Sequence, residues 1–450
     1  MSRPSLPELI QWDREHVWHA FTQMASYEPL IIQSAVGCTL TDIHGNTYID
    51  GVSSLWCNIH GHQHPAINQA LHKQLDQVAH VTSLGMSNPT TIQLAKRLVE
   101  ITPDNLQHVF FAGDGASCVE VALKMAFQYW RQKDKRQPDK SQYIALGNAY
   151  HGDTLGSVSV GGVERFHEMF RPLLFDVHRI ENPNTYRWPA PVRSAEEATT
   201  YYLQQLDRCL AQHHETLAAL VIEPVVQGAA GMIMQPPGYL TGVRELTKKH
   251  DVLLIADEVA VGFGRTGTMF ACEHEQVQPD LLCLAKGLTG GYLTMSATLS
   301  TTEIWNAFLG DPGRTFYHGH TYAGNPLAAA AALANLDLFE TENTLATVAQ
   351  RSEQLQVLLE PLRRHPHVGD VRQRGLIAAI ELVKNKDGKI PLADPGTTGH
   401  AICQAARQRG VWLRPLRDIL VIMPPLNISA EQLESIVQAV QYGIEEVLGT

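Results

Sequence analysis

The chain has 450 residues, of which 44% are hydrophobic, 7% aromatic and 18% charged. That is enough to bury a large core, or about three ordinary domains. Its 35 Lys and Arg stand against 46 Asp and Glu, a formal charge of -11, which argues against partners recognised by a basic surface: nucleic acid or an anionic membrane.

Residues 1–11 carry no apolar run behind basic residues, and the apolar stretch 327–334 is only eight long, so neither a signal peptide nor a membrane span is expected. The seven cysteines are scattered and form no CxxC pair. They read as reduced thiols of a cytoplasmic protein.

Residues 38–42 and 47–50 bracket His44-Gly45-Asn46, a hairpin signal, expected to pack with the C-terminal end. A helix is predicted over 119–130. Apolar runs at 142–146, 218–222, 252–256 and 281–284 show no alternation, which suits parallel strands covered on both faces. Helical stretches such as 242–250 separate them. The order predicts an α/β fold whose large domain holds a mostly parallel, doubly wound sheet, with ligands beyond the carboxyl ends of the strands. Residues 328–340 read as a long helix leaving that core. Strands at 377–382 and 420–423 and a final helix with a Ser429/Gln432 capping box predict a smaller α+β domain built from both chain ends. The expected divisions are 1–61, 62–335 and 336–450.

The run Leu253-Leu254-Ile255-Ala256-Asp257 delivers a carboxylate at a strand tip. Twenty-nine residues on (286 − 257) a second apolar run delivers Lys286. A lysine amine and a carboxylate at neighbouring strand ends suit pyridoxal phosphate: the amine condenses with its aldehyde, and the acid keeps the pyridine nitrogen protonated. Gly113-Asp114-Gly115-Ala116-Ser117 opens a helix, where free N–H groups attract phosphate. It is not a GxGxxG fingerprint, because Cys118 stands where the third glycine belongs. Tyr150, after a strand, can stack on a flat ring. Thr321, among glycines, offers a hydroxyl to phosphate or substrate. Arg414 after an apolar run can clamp a carboxylate. His60, His62 and His64 recur at every second residue but lack a metal-ligand pattern, so no metal is expected.

Taken together, these elements resemble the class III, fold-type I, pyridoxal-phosphate-dependent aminotransferases, over essentially the whole chain. Within that family the stretches Trp18-His19-Ala20-Phe21, His60-Gly61-His62, Tyr150-His151-Gly152-Asp153-Thr154, Phe270-Ala271-Cys272-Glu273-His274 and Trp412-Leu413-Arg414-Pro415 are similar to the branch acting on 8-amino-7-oxononanoate in biotin synthesis. The resemblance implies Lys286 as the covalent and proton-moving lysine, Asp257 at the pyridine nitrogen and Tyr150 on the ring. It implies Gly115 and Ala116 at the phosphate, with Ala116 lacking a hydroxyl that many relatives have. It also implies a homodimer in which His320 and Thr321 reach the phosphate of the neighbouring subunit. Gly319 and Arg414 would bind substrate, alongside Phe21, Leu55 and Trp56; Asp153 and Arg265 match positions near the site.

Two departures bear on substrates. Gln227-Gly228-Ala229-Ala230-Gly231 has alanine where glutamate-using relatives carry a carboxylate. Phe21 and Leu55-Trp56 stand where users of S-adenosylmethionine typically have Tyr and a Trp-Trp pair, which is similar to the branch using L-lysine. Either compound is an expected amino donor. The rival reading is another ω-amino-acid:pyruvate aminotransferase of this fold.

Overall fold

The computed structural model describes residues 4–190 and 192–449. The outermost residues of the predicted N- and C-terminal units, Met1–Arg3 and Thr450, lie outside the described residues, as does Pro191. Strand β1 (Ile32–Val36) pairs antiparallel with β2 (Thr39–Asp42), and the predicted hairpin joins β2 to β3 (Thr47–Asp50). Gly45 sits at the turn with φ 84°, a conformation open to a residue without Cβ. Asp42 fixes the turn by accepting from His44 N and Asn46 N, both at 2.9 Å.

The unbroken apolar runs form the centre of a seven-stranded sheet. Its strands are β4 (Leu106–Ala112), β5 (Gln142–Leu146), β6 (His178–Ile180), β7 (Leu217–Ile222) and, after a short ribbon of β8 (Val226–Gln227) and β9 (Ile233–Met234), β10 (Leu253–Asp257), β11 (Leu281–Leu284) and β12 (Ser296–Thr301). The spatial order is β4-β12-β11-β10-β7-β5-β6. Only β12 is reversed; it pairs antiparallel with both β11 and β4. Every residue of β7, β10 and β11 is buried, as strands covered on both faces require.

The helix Gly115–Gln132 covers one face. Its buried stripe includes Val119, Ala122, Ala126 and Trp130, and Trp130 Nε1 donates to Ala218 O at 2.8 Å, which satisfies the one polar atom of that ring. The helix begins four residues before the predicted start (119 − 115) because Asp114 caps it, accepting from Ser117 N at 2.8 Å. Such a cap stabilises a helix by about 1 kcal/mol.

The helix Pro326–Thr341 leads from the central sheet to β13 (Val368–Arg374) and β14 (Ile377–Leu382). Strand β15 (Val411–Trp412) pairs parallel with β3, and β16 (Ile419–Ile422) returns antiparallel beside β14. The two chain ends therefore share one sheet, as the hairpin reading expected. The last helix, Ala430–Leu448, carries the Ser429/Gln432 capping box and buries Leu433, Ile436, Val437, Val440 and Ile444. Val447, assigned to the same stripe, lies in the last turn and is 37% exposed. No helix among the described residues is long and apolar enough to cross a membrane.

Candidate active site

Sheet register brings the chemistry together. Ala256 stands opposite Ile222 across β10 and β7, so Asp257 and Glu223 leave the sheet side by side. Asp257 stands opposite Cys283 on β11, and Lys286 opens the turn three residues later (286 − 283). Lys286 has φ 41°, a left-handed conformation that a side chain adopts at a cost and that recurs at functional sites. All three side chains line one cavity of about 460 Å³, with Trp56, Gly115, Ala116, Tyr150, His151, Asp153 and Ala229. The Lys286 Nζ lies 5.3 Å from the centre of the Trp56 ring.

Loss of surrounding water lowers the pKa of Lys286; the nearby carboxylates of Asp257 and Glu223 oppose that shift without cancelling it. The cavity thus makes this amine easier to deprotonate than a surface lysine. Asp257, 4% exposed, accepts from Val259 N at 3.0 Å through Oδ1 and pairs with His151 Nδ1 at 2.7 Å through Oδ2. Burial disfavours the charged form of His151, but the Asp257 hydrogen bond and the Asp257 and Glu223 charges outweigh it, and the histidine's pKa is raised. Carboxylate oxygens carry further lone pairs, so Asp257 retains acceptor capacity toward the cavity.

Glu223 accepts from Tyr150 N at 3.0 Å and Gly228 N at 2.8 Å, and burial raises its pKa to about 7. It ties the Tyr150 loop to the ribbon that follows β7. Tyr150 Oη donates to Asp153 Oδ2 at 2.7 Å, which fixes the ring's rotation at the cavity wall. Glu258, on the other side of Asp257, faces away from the cavity. It is fully buried and accepts from Ala271 N at 2.6 Å and Cys272 N at 2.8 Å. Burial raises its pKa from 4.5 to about 7. The native chain therefore holds this proton over that interval while the unfolded chain has released it. Stability falls as pH rises through the window, by roughly 3 kcal/mol for the full shift. Denaturant midpoints at pH 5 and pH 7.5 check this: Glu258→Gln should reduce the loss, and an equal loss in both proteins would refute the assignment.

The residues fit pyridoxal phosphate. Asp114 uses the N–H of Ser117, and Cys118 N donates to Asp114 O. The N–H groups of Gly115 and Ala116 belong to the first helical turn, which has no internal acceptors, and both residues line the cavity. A phosphate there meets free donors and the positive end of an 18-residue helix. The fit is close: an added Cβ at Gly152 would lie 2.4 Å from Ala116 Cβ, and at Gly115 2.7 Å from Val259 Cγ1. Tyr150, Val259, Asp257 and Lys286 line that same cavity, so an aromatic face, a carboxylate and an amine are all available to the rest of the cofactor.

Of the residues singled out from the sequence, Lys286, Asp257, Tyr150, Gly115, Ala116, Trp56 and Asp153 line this one cavity. Leu55 is beside Trp56 and 43% exposed. Phe21, 55% exposed, packs its ring 5.3 Å from Phe166, which in turn meets Tyr150 at 6.2 Å. Arg414 is half-buried and does not line the cavity. Gly319, His320 and Thr321 are exposed and do not line it either; His320 Nε2 comes within 3.2 Å of where a Cβ on Gly113 would stand. Arg265 is buried behind the site and donates to Asn58 O and Pro424 O. His151 and Glu223 were not assigned from sequence. Glu223 follows an apolar run just as Asp257 does, and that signal was present.

Residues 22–444 match the family described as Aminotransferase class-III. The chain belongs to the class-III aminotransferases. Relatives named adenosylmethionine-8-amino-7-oxononanoate aminotransferase include one from Nitratidesulfovibrio vulgaris, 52% identical over 96% of this chain and 80% of its own. Another, from Geobacter sulfurreducens, is 48% identical over 98% of both. A crystal structure of the enzyme of that name from Methanocaldococcus jannaschii superposes with TM-score 0.92 at 41% identity, covering 99% of this chain and 100% of that one. An amine transaminase from an uncultivated Pseudomonas species, crystallised with pyridoxal phosphate, matches with TM-score 0.92 at 36% identity over 96% and 99%. Class-III aminotransferases use pyridoxal 5'-phosphate, and the cavity described above is where this member would hold it.

Proposed function

We propose that this class-III aminotransferase converts 8-amino-7-oxononanoate to 7,8-diaminononanoate in biotin biosynthesis, with S-adenosylmethionine or L-lysine as amino donor. The observation that carries the reading is the convergence of Lys286, Asp257 and Tyr150 on one cavity, in a chain similar along nearly its full length to relatives named for that reaction. Bound pyridoxal phosphate supplies an electron sink that acidifies the carbon–hydrogen bond next to the donor nitrogen.

The chain's own residues do the rest. Lys286 is the residue that would hold the cofactor through its amine. Its Nζ, when free, would be the group that moves the proton at the donor carbon and, in the second half-reaction, at the acceptor carbon. Burial lowers the pKa of Lys286, which makes its amine more available as a base than that of a surface lysine. Asp257 keeps a negative charge at the pyridine nitrogen, and His151 keeps that carboxylate oriented. Tyr150 covers one ring face. Gly115 and Ala116 bind the phosphate through backbone. Phe21, Leu55 and Trp56 enclose the substrate chain, and Ala229 brings no carboxylate into that space. Arg414 binds the substrate carboxylate, far from the reacting ketone, so that remote binding energy positions it.

Gly319, His320 and Thr321 complete the site of a second copy in a homodimer. In support, they are exposed here between Tyr317 and Tyr322, themselves 79% and 66% exposed, an apolar surface that a subunit contact would cover.

Conversion of the keto acid, followed by product detection with each donor in turn, tests the reading and identifies the donor. Use of pyruvate as acceptor with no turnover of 8-amino-7-oxononanoate would reject it. Arg414→Ala should raise KM for the keto acid by about 30-fold, the loss of a charge-assisted contact of about 2 kcal/mol. The donor half-reaction should change little; equal damage to both half-reactions would remove Arg414 from its role.

A further inference from the structure

Residues 52–58 carry Trp56 to the cavity on a backbone that needs outside support. Ser53, Ser54 and Trp56 have φ of 53°, 61° and 64°, and Ser54 adds ψ -81°. Residues with a Cβ avoid that region, and it persists only where the surroundings impose it. A single carboxylate supplies much of the imposition. Asp50, fully buried at the end of β3, accepts from Ser54 N at 2.8 Å and Val52 N at 3.3 Å and pairs with His62 Nε2 at 3.0 Å. Ser53 Oγ donates to Met423 O at 2.6 Å, and Arg265 anchors the far end at Asn58 O. Past the turn, the Trp56 ring stands 5.3 Å from Lys286 Nζ.

We propose that Asp50, held by His62, is a positioning residue for transamination: it fixes the strained turn that sets Trp56 at the cavity wall, and so governs how tightly the amino acceptor binds. Asp50 does not line the cavity; it acts through Trp56. The choice of acceptor in the test rests on the reaction proposed above.

Steady-state kinetics of the holoenzyme provide the test. Asp50→Asn keeps one carbonyl acceptor but loses the second acceptor and the charge facing His62. It should raise KM for 8-amino-7-oxononanoate about tenfold, hold kcat within about twofold and leave the spectrum of the bound cofactor unchanged. Trp56→Ala should raise the same KM, and adding Asp50→Asn to it should raise KM no further, because coupled residues fail to add. Effects that multiply, or a lower melting temperature with KM unmoved, would overturn the proposal. If Asp50→Asn does not fold, His62→Gln enters the same cycle under the same criteria, with an expected rise of about threefold. If the parent enzyme does not turn over 8-amino-7-oxononanoate, the functional reading fails by itself; the cycle is then run with pyruvate, where additivity decides the role of Asp50 independently.

Discussion

Lys286→Ala is expected to lower the overall rate by at least about a thousandfold, because two functions are lost with one amine. The covalent hold on the cofactor goes, and so does the group that moves the proton at the donor carbon. No neighbour substitutes. Among the described residues lining the cavity the other titratable groups are Asp114, Tyr150, His151, Asp153, Glu223 and Asp257. Burial and the Asp153 hydrogen bond push Tyr150 well above its ordinary range, His151 is engaged by Asp257, and Glu223 is engaged by two backbone N–H groups. The fold should survive, since the turn that Lys286 opens is anchored by Asn335 Nδ2 donating to Gly287 O at 3.0 Å. Single-turnover absorbance with each donor is the measurement. A variant within about tenfold of the parent rate would exclude Lys286 as the proton carrier.

Asp257→Asn should cost about a thousandfold in the donor half-reaction while leaving the covalent attachment at Lys286 intact. Asparagine matches aspartate in shape and can still accept from Val259 N. It carries no charge, so it no longer stabilises a protonated ring nitrogen. It also removes the partner that holds His151 in its raised-pKa state, and the histidine should revert toward the neutral form that its burial favours. A stopped-flow trace of the donor half-reaction separates the two replacements: loss of attachment for Lys286→Ala, retained attachment with slow turnover for Asp257→Asn. A fast donor half-reaction in Asp257→Asn would show that the charge is not needed.

The central sheet was legible in the sequence because burial on both faces leaves a compositional trace. The strands at 142–146 and 281–284 fall where the apolar runs lie; β7 begins one residue earlier than its run, and β10 is shifted by one residue at both ends. Asp257 and Lys286 were legible for the same reason, since a polar residue that ends such a run must leave the sheet at the ligand side. The reversed strand β12 and its neighbour β4 were not read. Ser296–Thr301 alternates Ser, Thr and apolar residues, yet all but the last are buried; the Thr298 hydroxyl donates to Cys118 O, while Ser296 Oγ has no partner among the described residues. The turn at residues 53–56 gave no signal either. Left-handed backbone at serine and tryptophan follows from Asp50 and Met423, which lie near and far in sequence. His320 and Thr321 were expected at the phosphate, but the cavity of one chain does not include them.

Transamination by this chain depends on one amine meeting the cofactor, and one measurement reaches that amine directly. The holoprotein is treated with borohydride, digested and mapped by mass spectrometry. The predicted result is a single pyridoxyl-phosphate adduct, on the peptide carrying Lys286. An adduct on any other lysine, or none on a chain that retains its cofactor, would contradict it.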